Sequence, residues 1–189
     1  VQPYARVMLT AEIISPITAQ NGLVSVGQTI EFRAKVERDL TGITDMADVT
    51  GPCQVKISLP DRFTLTSGDS IHTFSIDDTL QTWYVLAPDT TVFAKTITFT
   101  LIGVPDDRNS GEPAYVDASN SRRSFSISTE KKKIIVTNLS DSLIDEQMYR
   151  RGDSNASMLA FEISNEGYSG AENRVNMVSI TLGFIAAST

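Results

Sequence analysis

The sequence predicts an all-β protein built as two tandem antiparallel β-sandwich units, the second short or completed by a strand from outside. Three observations predict it. Apolar residues recur with period two, as where Ile30, Phe32, Ala34 and Val36 alternate with Glu31, Arg33, Lys35 and Glu37. Gly, Pro, Asn and Asp clusters interrupt these runs at sandwich-like spacing. No window of a dozen residues carries a helical stripe, and Asp141 to Arg150 has the polarity for one turn only.

The elements follow in order. Val7, Leu9, Ala11 and Ile13 alternate within a strand from Tyr4 to Ser15, which Pro16 ends. Asn21-Gly22 marks a turn, and Val24 to Gly27 leads into the Ile30–Val36 strand. Asp39 to Asp48 reads as a long polar loop. Val49 to Leu59 is one strand with Val55, Ile57 and Leu59 inward, broken by Pro60-Asp61 and continued briefly by Phe63 to Leu65. After the Ser67-Gly68-Asp69 turn come Ile71 to Ile76 and then Thr82 to Leu86, which carries Trp83 and Val85. Ala87 to Thr90 turns into a long strand, Val92 to Val104, rich in Thr, Ile and Phe. Pro105 to Pro113 is a polar loop, and Ala114 to Ile127 contains the closing strand. The first unit spans residues 1–128 and is expected to be purely antiparallel.

The second unit, residues 129–189, offers three strands: Lys133 to Leu139, Ser157 to Ser164 and Arg174 to Ile185. So little sheet leaves apolar faces and strand edges uncovered. Either the chain continues beyond Thr189 or a neighbour supplies a strand. The opening Val1-Gln2-Pro3-Tyr4 has no initiator Met and reads as the start of a processed or excised piece.

Composition narrows the function. The 189 residues are 41% hydrophobic, enough for a packed core. Net charge is −7, and the basic runs Lys131 to Lys133 and Arg122-Arg123 read as solvated strand entries, so no nucleic acid partner is expected. No apolar stretch reaches the roughly 20 residues of a membrane helix, so no membrane insertion is expected. A lone cysteine, Cys53, rules out a disulfide within the chain and a cysteine-based metal cluster.

The runs Leu9 to Pro16, Val24 to Gln28, Lys56 to Pro60 and Ala87 to Thr90 resemble the immunoglobulin-like repeats of large bacterial secreted and cell-surface proteins of the adhesin type. Arg151 to Asn155, followed by Leu159 to Asn165, is similar to a further surface β-sandwich module. The first resemblance covers about two thirds of the chain, and its motifs are turn and strand-edge residues that speak to fold. It implies an immunoglobulin-like sandwich with a spacer, stalk or adhesive role outside the cell, and no catalytic residues.

Chemistry is sparse. His72, the single histidine, falls at the start of a short strand and is expected to be structural or exposed. Cys53 reads as a small core hydrophobe, with a Cys53–His72 dyad left unsupported. Asp106, Asp107, Asn109 and Glu112, with Asp117 nearby, form the best candidate for a calcium loop, because calcium takes about six to eight hard oxygens. Arg108 would compete for those carboxylates, and the spacing is not that of an EF-hand; the loop is otherwise an ordinary solvated one. Asp45 with Asp48 and Asp77-Asp78 are weaker versions of it. Arg151-Gly152-Asp153 spells an integrin-type tripeptide but reads as a turn, and Asn138 to Ser140 and Asn155 to Ser157 fit the glycosylation acceptor pattern.

No catalytic residue and no resident cofactor other than that calcium ion are expected. The leading expectation is a non-catalytic building block of an extracellular filament, stalk, sheath or adhesin. Its partners are other copies of itself or adjacent domains, joined by strand addition through residues 1–15 or 174–185. The alternative is a polysaccharide-binding or spacer module of a secreted enzyme. That module would need surface aromatics from among Tyr4, Trp83, Tyr84, Tyr115 and Tyr168.

Overall fold

The computed structural model describes residues 4–42, 47–76, 80–131, 134–138 and 161–165. The strands are β1 (Val7–Ser15), β2 (Leu23–Ser25), β3 (Thr29–Arg38), β4 (Val49–Thr50), β5 (Pro52–Ser58), β6 (Thr64–Ser67), β7 (Ile71–Ser75), β8 (Gln81–Leu86), β9 (Val92–Gly103), β10 (Asp106–Asp107) and β11 (Arg122–Glu130). Two further strands, β12 (Ile134–Asn138) and β13 (Phe161–Asn165), follow. The protein is all-β, and no α-helix occurs among the described residues.

The alternating residues do what period two requires. A four-stranded sheet, ordered β1-β3-β8-β6, faces a five-stranded sheet, ordered β2-β11-β9-β5-β7. Ile30, Phe32, Ala34 and Val36 on β3 are all buried, as are Val55 and Ile57 on β5 and Ile97 and Phe99 on β9. An aromatic cluster joins the sheets. Phe32 and Trp83 from one sheet lie 5.6 and 5.3 Å from Phe99 of the other, and Phe125 stands 5.4 Å from Phe32. Tilted and edge-on pairs at such separations add to the area term.

The structure departs from the period-two reading where the backbone turns a corner. The Val24 run does more than lead into β3. It is a separate strand, β2, paired in parallel with the end of β11, with Leu23 opposite Ser128. The expected antiparallel pattern fails here, as it does at the isolated parallel bridge between Arg6 and Tyr115, and for β2 the cause is local. After Pro16 a 3-10 turn, Ile17–Asn21, carries the chain from one sheet to the other without reversing it. Gly22 makes that crossing possible. Its φ is +79°, and a β-carbon there would stand 2.8 Å from the Ser126 carbonyl oxygen. Gly22→Ala is therefore expected to destabilise the protein by about 1–3 kcal/mol in urea unfolding, combining left-handed strain with backbone crowding.

The expected Val49–Leu59 strand is divided by Gly51, at φ +86°. The first part, β4, pairs with β10 inside the expected polar loop, and the second, β5, joins the five-stranded sheet. Likewise β6 leaves β5 and pairs with β8 in the opposite sheet. Arg62, at φ 72°, lies in the turn between them.

In the second region, β12 and β13 pair antiparallel, from Ile134 opposite Asn165 to Asn138 opposite Phe161. The expected third strand, 174–185, lies outside the described residues, as do Asp141 to Arg150, Arg151 to Asp153, Asn155 to Ser157 and Tyr168.

Candidate functional site

The densest built chemistry lies at one pole of the sandwich, where β3 and β9 end and β1 and β11 begin. The sequence reading placed its calcium candidates here, and the fold gives each a different surrounding. Asp106 is exposed and pairs through its backbone with Thr50 of β4. Asp107, its neighbour along the strand, faces inward and is buried. One carboxylate oxygen accepts the Ala5 N–H at 2.6 Å, and the other accepts those of Asn109 at 2.7 Å and Ser110 at 3.1 Å. The Ala5 bond, with help from Ser110 and Asn109, holds the Asp107 carboxyl below the usual carboxylate range against the opposing effect of burial. Asn109 and Glu112 are exposed. Asp117 caps the short 3-10 turn Ala118–Asn120, accepting from the Ser119 N–H at 3.0 Å and hydroxyl at 2.8 Å, and these bonds lower its pKa.

Asp107 and Asp117 are thus engaged by donors of the protein itself, and Arg108 turns to Asp48 at 2.9 Å. Among the described residues no group of three or more His, Cys, Asp or Glu side chains stands together. Asp45, Asp77 and Asp78 lie outside those residues.

A second buried carboxylate of this pole was not among the residues the sequence singled out. Asp39, placed in a polar loop, is 2% exposed. Its carboxylate accepts the Thr41 N–H at 3.1 Å, Asn120 at 3.2 Å and the Arg6 guanidinium at 3.3 Å. Bonding from Thr41 leads the downward shift of its pKa, with Arg6 and Asn120 adding to it. Asp39 and Asp107 together tie the entering chain, Ala5-Arg6, to three loops. Backbone bonds reinforce the tie: Tyr115 bonds Ala5 and Val7, and Asp39 donates to the Arg6 carbonyl at 3.0 Å. The Thr41 bond is local loop chemistry, but the side chains that close over Asp39, Arg6 and Asn120, lie 33 and 81 residues away, so the local sequence does not signal its burial. Chemically this pole is a clamp: its buried carboxylates, Asp39 and Asp107, each accept bonds from three residues.

The other candidates are scattered. Cys53 is buried in β5, and its thiol donates to the Phe74 carbonyl at 3.1 Å rather than to His72. His72 stacks on Trp83, with ring centroids 4.1 Å apart and planes inclined by 20°. His72 Nδ1 and Trp83 Nε1 are both buried without a hydrogen-bond partner. Trp83 is fully buried, so it is unavailable to a sugar-stacking surface. Tyr4 and Tyr115 form an exposed edge-to-face pair at 6.1 Å, with the Arg6 guanidinium 5.7 Å from the Tyr115 ring, and Tyr84 lies apart on β8. A shallow groove of about 290 Å³, open to solvent, runs over β1 and β3 beside Leu80. Its two cations pair with carboxylates, Lys35 with Glu37 at 2.6 Å and Arg33 with the adjacent Glu31 at 2.9 Å.

No protein-family model matches the chain, and no curated protein matches it in sequence.

Proposed function

We propose that the chain is a non-catalytic structural module of an extracellular or cell-surface assembly, with an immunoglobulin-like first unit and a second unit completed by strand addition. One observation carries the reading: the first sandwich receives the chain at one pole and releases it at the other. Ala5 and Arg6 are clamped by Asp107 and Asp39, whereas Glu130 leaves beside Val26 at the opposite pole, bonded to its N–H at 2.9 Å. A module threaded end to end propagates a linear array, because each copy continues the axis of the last.

Two features support the finer parts. The order β1-β3-β8-β6 corresponds to strands A-B-E-D of an immunoglobulin sandwich, and β5-β9-β11 to C-F-G. In addition, a two-stranded pair such as β12–β13 is marginal in water by itself and favours a third strand. Of the two linking segments considered, residues 174–185 are the better supported. β1 is already paired with β3 in its own chain, and Val7, Leu9 and Ile13 fill its own core.

Sedimentation velocity and negative-stain microscopy of the full chain test this. Linear oligomers that grow with concentration and disappear on deletion of residues 174–185 are the expected result. Monodisperse monomers at every concentration, or oligomers indifferent to that deletion, would overturn the proposal.

A further inference from the structure

The two outer faces of the sandwich carry opposite chemistry. On the four-stranded sheet, exposed cations are answered by carboxylates: Arg33 by Glu31 and Lys35 by Glu37. On the five-stranded sheet they are not. Lys56, Thr100 and Arg122 stand in one register row across β5, β9 and β11, and Ser58, Thr98 and Ser124 form the next row. Lys56 and Arg122 are exposed, and neither has an ion-pair partner among the described residues. These rows hold no carboxylate, and on β5, β7, β9 and β11 the only one is Glu130, at the far end of β11. In a chain of net charge −7, this face has been kept free of acid.

The row is also organised. The Arg122 guanidinium donates to the Thr98 hydroxyl at 3.4 Å, and that hydroxyl lies 3.2 Å from Ser124 Oγ. Thr98 is only 5% exposed. Arg122 is therefore drawn inward over β9, toward the β5 side. The Cα atoms of Lys56 and Arg122 are two strand spacings apart, about 9.5 Å, with hydroxyls between and below them.

We propose that this face binds an acidic polysaccharide. Arg122 and Lys56 engage carboxylates of uronate units, the guanidinium through paired charge-assisted bonds and the ammonium as a point charge. Ser58, Thr100 and Ser124 each both donate and accept, which matches the hydroxyls of the intervening sugar. The overall negative charge does not forbid this, because screening at physiological ionic strength limits its reach to about 8 Å. Charge complementarity and a polar centre favour a glycan over a protein partner, whose interface would need an apolar core in place of these two rows. Two cations with no aromatic between them are too few for a nucleic acid strand. The proposal is independent of the assembly reading.

Affinity electrophoresis of the full chain through gels containing polygalacturonate or a neutral glucan tests it. The expected result is retardation by polygalacturonate alone, weakened on the order of tenfold by Lys56→Glu or by Arg122→Glu. Arg33→Glu makes the same change in net charge on the other face and is expected to leave binding intact. Both target side chains are exposed, so an unchanged thermal midpoint identifies folded variants, and Lys56→Gln and Arg122→Gln provide milder ones. No retardation, equal retardation by the neutral glucan, or unaltered retardation of a folded variant carrying both Lys56→Glu and Arg122→Glu would each overturn the proposal.

Discussion

Trp83→Ala is expected to lower the unfolding free energy by about 3–5 kcal/mol, the cost typical of emptying a large aromatic site in a packed core. The position explains the size of the effect. Trp83 is fully buried and stands between His72 and Phe99, so its loss opens the side of the sandwich where β7 and β8 approach. Trp83→Phe should cost much less. It keeps most of the ring area and removes an indole N–H that has no hydrogen-bond partner in its buried place. Urea denaturation of the two variants checks the argument: equal losses would show that the indole N–H contributes what the structure does not display.

Asp107→Ala is expected to be the most damaging substitution outside the hydrophobic core, because it deprives three backbone N–H groups of their shared acceptor. The effect should also depend on pH. The folded pKa of Asp107 lies below the ordinary aspartate value of about 3.9. Its bonds therefore contribute fully above that value and are lost as pH falls through the lower, folded one. Thermal midpoints of the parent protein and Asp107→Ala should differ at neutral pH and converge in acid, while the Ala5 and Val7 amides should exchange faster in the variant. A difference that persists unchanged into strong acid would mean that the carboxylate charge is not what holds the entering chain.

The candidate site was less legible than the strands, for a reason visible in Asp39 and Asp107. Both occupy stretches whose composition says only solvated loop. Their burial comes from contacts made by Arg6, Asn120 and Ala5, each distant in sequence. The carboxylate pattern by itself says nothing of the backbone N–H groups that Asp107 and Asp117 meet. The cationic row was hidden in the same way. Lys56 and Arg122 lie 66 positions apart, and only the register of β5 and β11 on β9 aligns them.

Alternation alone was enough to decide that β3 and β5 are strands and which of their faces is buried, because successive side chains in a strand point to opposite faces. Ile30, Phe32 and Val55 went inward as that pattern requires, whereas the burial of Trp83 on β8 was decided by the closing of the two sheets. What alternation could not decide was which strand lies beside which. The parallel placement of β2 on β11, the division at Gly51 and the passage of β6 to the opposite sheet depend on crossings and packing between distant segments. Such choices arise only when two sheets close over one core.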